Sequence, residues 1–378
     1  MEELLVPKSI QFETKSLSGL SNLKGNKAII VTDQGVMEEL GFLDQAISYL
    51  KNSNLETKVI DGVEPNPSVK TVMKGKEKML DFNPDWIIGL GGGSTLDAAK
   101  MMWAFYEHPE LNFEEVIEVN SLPKLRNKAK FAAVPSTSGT GSEMTAFAVI
   151  TDAKEKIKYP IVSPELIPDI AIIDPKLPAT MPKQITANTG MDVLTHAIEA
   201  FVSTNATDYT DPLALKAIKL VFKYLRTAYK KGDDIKARTK MHNASAIAGI
   251  AFSNASLGIV HSLAHKIGGE LDITHGLANA ILLPYVIDFN YETAEEKYKT
   301  IKHITGEQNL SEAIKELNED LNIPSCFKKL DDINENEFKK ILDRMSENAL
   351  QDACTLTNPK EPNVTDMKEI YKQAFYGK

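Results

Sequence analysis

Over the first half of the chain, short β-branched and apolar runs alternate with stretches of helical periodicity. Lys27-Ala28-Ile29-Ile30-Val31-Thr32 predicts a buried strand, and apolar residues recur at helical spacing from Met37 to Leu50. Thr57 to Ile60 predicts a second strand, Val69 to Leu80 a second helix, and Trp86 to Leu90 a third strand. Phe131 to Val134, Phe147 to Thr151 and Ile170 to Ile173 add further strands. Strand and helix in alternation imply a parallel sheet with helices on its faces.

The pattern changes after Pro175. β-Branched runs thin out, and Ala-, Leu- and Lys-rich helical periodicity occupies Ile185 to Val202, Pro212 to Tyr229 and Ile235 to Ala255. The expected organisation is an α/β dinucleotide-binding domain over residues 1–178 and an all-α domain over 179–378. The boundary is placed in Asp174-Pro175-Lys176-Leu177-Pro178, where two prolines interrupt any regular element. A length of 378 residues exceeds what one core usually supports, in keeping with two domains. Net charge is −9, which opposes a phosphate backbone and sets nucleic acid aside as a partner. The two cysteines, Cys326 and Cys354, suggest neither a disulfide framework nor a CxxC metal site. No basic segment followed by an apolar core opens the sequence, and no apolar run reaches the roughly 20 residues of a membrane helix. A soluble, unprocessed, cytoplasmic protein is expected.

Strand three runs directly into Gly91-Gly92-Gly93-Ser94-Thr95-Leu96-Asp97-Ala98-Ala99-Lys100. Glycines let a backbone approach a ligand, and the N-terminus of the following helix suits a pyrophosphate. Ser94 with Asp97 three residues on reads as a capping box. The turn departs from the usual dinucleotide fingerprint by following the third strand instead of the first. Asp33, at the end of strand one, is placed to accept both adenosine ribose hydroxyls and to repel a 2′-phosphate, which favours NAD over NADP; a cap on the helix that follows is the alternative. The polar loop Pro135 to Glu143, with Thr137, Ser138 and Thr140, offers hydroxyls and backbone donors to the phosphates or the nicotinamide ribose, or is simply a connection.

Of the seven histidines, His196, His261, His265 and His275 fall in one stretch, while His108, His242 and His303 look scattered. Asp192 and His196 are four apart and share a helix face, as do His261 and His265; His275 opens a further helix. One carboxylate and three imidazoles close around Fe(II) or Zn(II), not Mg or Ca. Among the five candidates His265 is the odd one out, a proton relay, a substrate-orienting group or a further ligand. Joined in one chain, the two halves imply metal-assisted hydride transfer in the cleft between domains, the ion polarising the substrate oxygen and the nicotinamide carrying the hydride.

These segments resemble the iron-containing alcohol dehydrogenases over nearly the whole chain. The resemblance rests on Gly91 to Ser94 with Asp97 and Lys100, on Pro135 to Glu143, on Thr189 to Glu199, on Gly258 to His265, on His275 to Ala280, and on Asp352 to Lys360. It implies an α/β dinucleotide domain with an all-helical metal-binding domain, the dehydroquinate synthase-like superfold. It also implies metal ligation by Asp192, His196, His261 and His275, with His265 near the substrate and nicotinamide. Gly92, Gly93, Ser94 and Asp97 would meet the pyrophosphate, Thr137 and Thr140 the adenine side, and Lys158 the nicotinamide ribose. Family members commonly form dimers or larger oligomers. The stretch from Lys130 to Pro160 most resembles butanol dehydrogenases, some of which use NADPH and lack an acid at the place of Asp33; the carboxylate argues for NADH.

The implied function is oxidoreduction between a nicotinamide cofactor and a small primary alcohol or aldehyde. A dehydroquinate synthase-like lyase would need several lysines and arginines near the metal, where Lys266 is the main basic candidate. Glycerol dehydrogenases use fewer protein ligands than Asp192 and three histidines provide. A nucleotide- or metal-binding protein without catalysis would bind cofactor and turn nothing over. Phe147, Phe252 and Leu257 are candidates for the walls of the alcohol pocket.

Overall fold

The computed structural model describes residues 3–152, 157–331 and 333–378. The chain divides into two compact units, one running to Thr137 and resuming over Gly141–Thr180, the other formed by Ser138–Thr140 with Met181–Lys378.

The first unit contains β1 (Ser9–Phe12), β2 (Lys27–Asp33), α1 (Val36–Glu39), α2 (Phe42–Asn52), β3 (Glu56–Val63), α3 (Val69–Phe82), β4 (Trp86–Gly91), α4 (Gly93–Glu107), β5 (Lys130–Pro135), β6 (Phe147–Asp152), β7 (Ile157–Val162) and β8 (Ile170–Ile173). Six strands make a parallel sheet in the order β1-β8-β5-β4-β2-β3. Its central strands are buried on both faces. In β2, Ala28 and Ile30 pack into the core that α2 covers, while Ile29 and Val31 pack into the core of α3 and α4. That explains the unbroken apolar runs of these strands, since neither face meets water.

Two sequence expectations need revising, and one strand has no sequence expectation at all. Phe147 to Thr151 is a strand, but β6 pairs antiparallel with β7 as a separate hairpin and not with the parallel sheet. Its burial alternates, with Val149 exposed between buried Ala148 and Ile150, as a strand with one solvated face requires. The segment from Met37 to Leu50 is two helices, because Gly41 takes a left-handed φ of 75° between α1 and α2. The edge strand β1 carries no pattern long enough to have been read.

The second unit is helical: α5 (Lys183–Val202), α6 (Asp211–Lys230), α7 (Ile235–Ala255), α8 (Ile259–Leu271), α9 (His275–Asn290), α10 (Glu295–Thr305), α11 (Leu310–Asp320), α12 (Glu335–Leu350) and α13 (Val364–Tyr376). α5 packs against α6, α7 and α9, and α8 against α9 and α12. From Gly190 to Val202 every residue of α5 is buried, including Asp192, His196 and Glu199. Ionisable groups on a helix enclosed all round must find partners, because desolvating them otherwise costs several kcal/mol each, on the order of the ~2–7 kcal/mol for a lone polar group. Among the described residues no single helix is long and apolar enough to cross a membrane.

Candidate active site

In the first unit, β2, β4 and β5 lie side by side and end together, Thr32 pairing with Leu90 and Gly91 with Pro135. β3 lies on one side of β2 and β4 on the other, so the chain reverses its direction of growth between them. Ligands of such sheets bind at the strand carboxyl ends at that reversal. Asp33, Gly91 to Ser94 and Thr137 are all gathered there. Gly91 is a glycine by necessity: its φ is +155°, and a Cβ would stand 2.7 Å from Thr95 Oγ1. Gly92 precedes α4, and no side chain caps the helix. Its first N–H groups are therefore donors to be met from outside the helix, the arrangement an anion exploits.

The capping box read from Ser94 and Asp97 does not form. Ser94 Oγ accepts the Asn66 N–H at 3.3 Å, and Asp97 accepts the Ser142 hydroxyl at 2.6 Å and the Val149 N–H at 3.0 Å. With both oxygens used inside the unit, Asp97 ties the 142–149 segment to α4. Lys100, fully buried, does the same with opposite polarity, donating to the carbonyls of Ser142, Thr145 and Phe147 at 2.6, 2.8 and 2.9 Å. Burial lowers its pKa to about 8 against the charges of Asp97 and Glu143, and burial raises Glu143 to about 7. Asp33 Oδ1 accepts the Met37 N–H at 3.2 Å, so the strand-end carboxylate is held by the helix after it.

Of the remaining cofactor candidates, Ser138 is buried with its hydroxyl 3.0 Å from His242 Nδ1, which makes it an anchor of the loop on α7. Thr140 is exposed. Lys158 lies exposed on β7, opposite Thr151 of β6.

In the second unit, Asp192 and His196 of α5, His261 of α8 and His275 at the first position of α9 bring one donor atom each within 4.8 Å of one another. Asp192 Oδ2 lies 4.0 Å from His196 Nδ1, and Asp192 Oδ1 lies 3.6 Å from His275 Nε2. Asp192, His196 and His261 are buried, and the half-exposed His275 marks the accessible side. Burial lowers the pKa of His196, and burial with three neighbouring imidazoles lowers that of His261 further, so both rings are neutral lone-pair donors. His196 Nδ1 is buried without a hydrogen-bond partner. The Asn279 amide nitrogen points into the cluster, 2.8 Å from Asp192 Oδ1, 3.3 Å from His261 Nε2 and 3.2 Å from His275 Nε2. Acceptor atoms converging on a lone donor, beside an orphaned imidazole nitrogen, fit a divalent cation with borderline-soft preferences.

His265 stands beside this cluster. Its ring stacks on His275 at 5.4 Å, and its Nδ1 is 3.1 Å from Asp352 Oδ2, which also accepts Lys266 Nζ at 2.8 Å. Burial pushes the Asp352 carboxyl up, but the hydrogen bonds and charges of His265 and Lys266 outweigh it and hold it well below the usual carboxylate range. Phe252 of α7 stacks on His196 at 4.3 Å, forming an apolar wall of the cluster, whereas Leu257 is half-buried and Phe147 belongs to β6 of the first unit.

Sequence reasoning gave no role to Glu199, Asn279 or Asp352. Glu199 is three residues beyond His196, and Asn279 four beyond His275, spacings that put both on the faces already singled out. Asp352 opens a segment that carries the family resemblance, but it is 87 residues from its partner His265, and nothing local announces that contact.

A wound parallel sheet with an open helix N-terminus and a helical unit whose buried acid and imidazoles converge on one point define a metal-dependent dehydrogenase. The chain belongs to the iron-containing alcohol dehydrogenase family: the profile for iron-containing alcohol dehydrogenase matches residues 7–175, and that for the C-terminal part of the family matches residues 186–375. Its activity is that of the family, metal-dependent and NAD(P)-linked oxidoreduction of alcohols and aldehydes. It is 50% identical to an NADPH-dependent butanol dehydrogenase from Clostridium saccharobutylicum, with 100% of this chain and 99% of that protein covered. It is 43% identical to an aldehyde-alcohol dehydrogenase from Streptococcus pneumoniae, of which it spans 46%. The solved iron-containing alcohol dehydrogenase of Thermococcus thioreducens superposes with a TM-score of 0.92 at 38% identity, with 100% of both chains covered.

Proposed function

We propose that the chain interconverts small primary alcohols and aldehydes with NAD(H), using Fe(II) or Zn(II) held by Asp192, His196, His261 and His275. The convergence of Asp192, His261 and His275 on the Asn279 amide, with a donor atom of His196 within 4.8 Å of theirs, carries this reading. Bound there, such an ion supplies Lewis-acid polarisation of a substrate oxygen, while the nicotinamide supplies or takes the hydride. His265 handles the proton. With Nδ1 committed to Asp352, its Nε2 is the nitrogen left to exchange a proton with substrate or water. Phe252 excludes water from one side of the cluster by covering His196.

Gly92, Gly93 and the open first turn of α4 bind the pyrophosphate, with Thr137 and Thr140 on the adenine side and Lys158 toward the nicotinamide ribose. Asp33 accepts the ribose hydroxyls and selects NADH. The name of the butanol dehydrogenase from Clostridium saccharobutylicum supports NADPH as the competing reading and a four-carbon substrate as the first to try. Both cysteines are free thiols, which suits the reducing cytoplasm, and a homodimer or larger homo-oligomer is the assembly the family resemblance implies.

The test is reconstitution of metal-free protein separately with Fe(II) and Zn(II), followed by NADH and NADPH oxidation with butyraldehyde, propionaldehyde and lactaldehyde. Metal-dependent turnover, faster with NADH, is expected. Absence of turnover with every metal and cofactor pair would remove the proposal.

A further inference from the structure

We propose that Glu199 is a positioning residue that sets how tightly the metal is held, by fixing His261 and the start of α8 against α5. The inference rests on the metal-site reading above and assigns a role to a residue outside the ligand set.

α5 carries Asp192, His196 and Glu199 at spacings of four and three, so one buried helix face presents two candidate ligands and, a turn further on, a carboxylate. Both Glu199 oxygens are engaged on α8. Oε2 lies 2.5 Å from His261 Nδ1, and Oε1 accepts the Val260 N–H at 2.7 Å. α8 has no side-chain cap of its own, since Gly258 precedes it. Its leading N–H groups are met from elsewhere, Val260 by Glu199 and Ile259 by Asn358 Oδ1 at 3.3 Å. Gly258 makes room for this: a Cβ there would stand 2.9 Å from Glu199 Oε1 and 2.9 Å from Asn358 Oδ1.

Two consequences follow for His261. Burial raises the Glu199 carboxyl to about 8; ionised, it accepts from Nδ1, which puts the ring hydrogen there and turns the Nε2 lone pair toward Asp192 and His275, where Asn279 lies 3.3 Å away. The same carboxylate ties the backbone one residue before His261, so ring and main chain are located together relative to Asp192 and His196. A metal-bound imidazole backed by a carboxylate is oriented, fixed in tautomer and made a better donor, and losing such a partner typically costs 10–100-fold in metal affinity. Glutamine cannot replace Glu199 here. Two N–H donors need two acceptors, and an amide offers one with an N–H₂ facing the other donor.

A plain structural role predicts something different: loss of the carboxylate would weaken the start of α8 and nothing more. Asn358 separates the two, because it meets the same helix start without touching His261. The experiment uses the full-length protein, stripped of metal, and measures Zn(II) affinity by competition with a chromophoric chelator for the parent, Glu199→Gln and Asn358→Ala. Thermal unfolding of the metal-free proteins and NADH binding by fluorescence are recorded alongside. Glu199→Gln is expected to lose about 10–100-fold in Zn(II) affinity with NADH binding unchanged, while Asn358→Ala lowers the unfolding temperature and keeps the parent's affinity. Equal affinity in Glu199→Gln and the parent overturns the proposal, as does a loss in Asn358→Ala as large as in Glu199→Gln. A parent chain that takes up no Zn(II) overturns the metal-site reading and this inference with it. Should Glu199→Gln not fold, Glu199→Asp, which keeps both acceptors but withdraws them by one methylene, takes its place with the same expected direction.

Discussion

His242 illustrates what an enclosed polar side chain does to this molecule. It is fully buried on α7, bonded through Nδ1 to Ser138, with Nε2 lacking a hydrogen-bond partner, and burial lowers its pKa from 6.5 to about 3. The folded state thus refuses a proton that the unfolded chain accepts between those two pH values. Stability contributed by the neutral ring is present above pH 6.5 and is lost as pH falls through the window toward 3. In metal-free protein the unfolding free energy should fall less steeply between pH 7 and 5 for His242→Gln than for the parent, by up to ~1.4 kcal/mol per pH unit. Superimposable pH profiles in urea denaturation would contradict this. Little of this was legible in the sequence, where His242 looked like any scattered histidine. Asp192, His196 and His261 were legible from i,i+4 spacing as well as from the family resemblance, and His275 from its place at a helix start and the same resemblance. Asp352 was not, since only the tertiary fold brings it to His265.

At the scale of elements, the parallel sheet was legible wherever a strand is buried on both faces, because the apolar run is then continuous. β6 misled because an apolar run announces a strand without naming its partner; its alternating burial marks a hairpin with one wet face. In the proposed reading, cofactor choice is decided at the ends of β2, β4 and β5. Asp33 sits at the first of these ends, tethered to Met37. A phosphate brought beside that carboxylate meets like charge, whereas ribose hydroxyls meet an acceptor. Asp33→Gly is expected to raise kcat/KM for NADPH relative to NADH by about tenfold or more, the equivalent of ~1.4 kcal/mol, a modest part of what like-charge contacts cost. Steady-state rates with both cofactors decide it; a parent that already prefers NADPH, or a variant with an unchanged ratio, would contradict the assignment.

For the molecule as a whole, the proposed function divides the work between the two units. The sheet ends and the open start of α4 belong to the first, and the acid with its imidazoles belongs to the second. That separation makes metal and nucleotide binding separable by a single substitution. His261 is buried, contributes one donor atom to the cluster and takes no part in the first unit. The most direct measurement is therefore the metal content and NADH affinity of His261→Ala beside the parent, both purified from metal-supplemented cultures. The variant is expected to lose bound metal and aldehyde reduction together while binding NADH within about twofold of the parent, a difference of less than ~0.5 kcal/mol. Unchanged metal content in the variant would contradict the assignment of Asp192, His196, His261 and His275 as the metal's ligands.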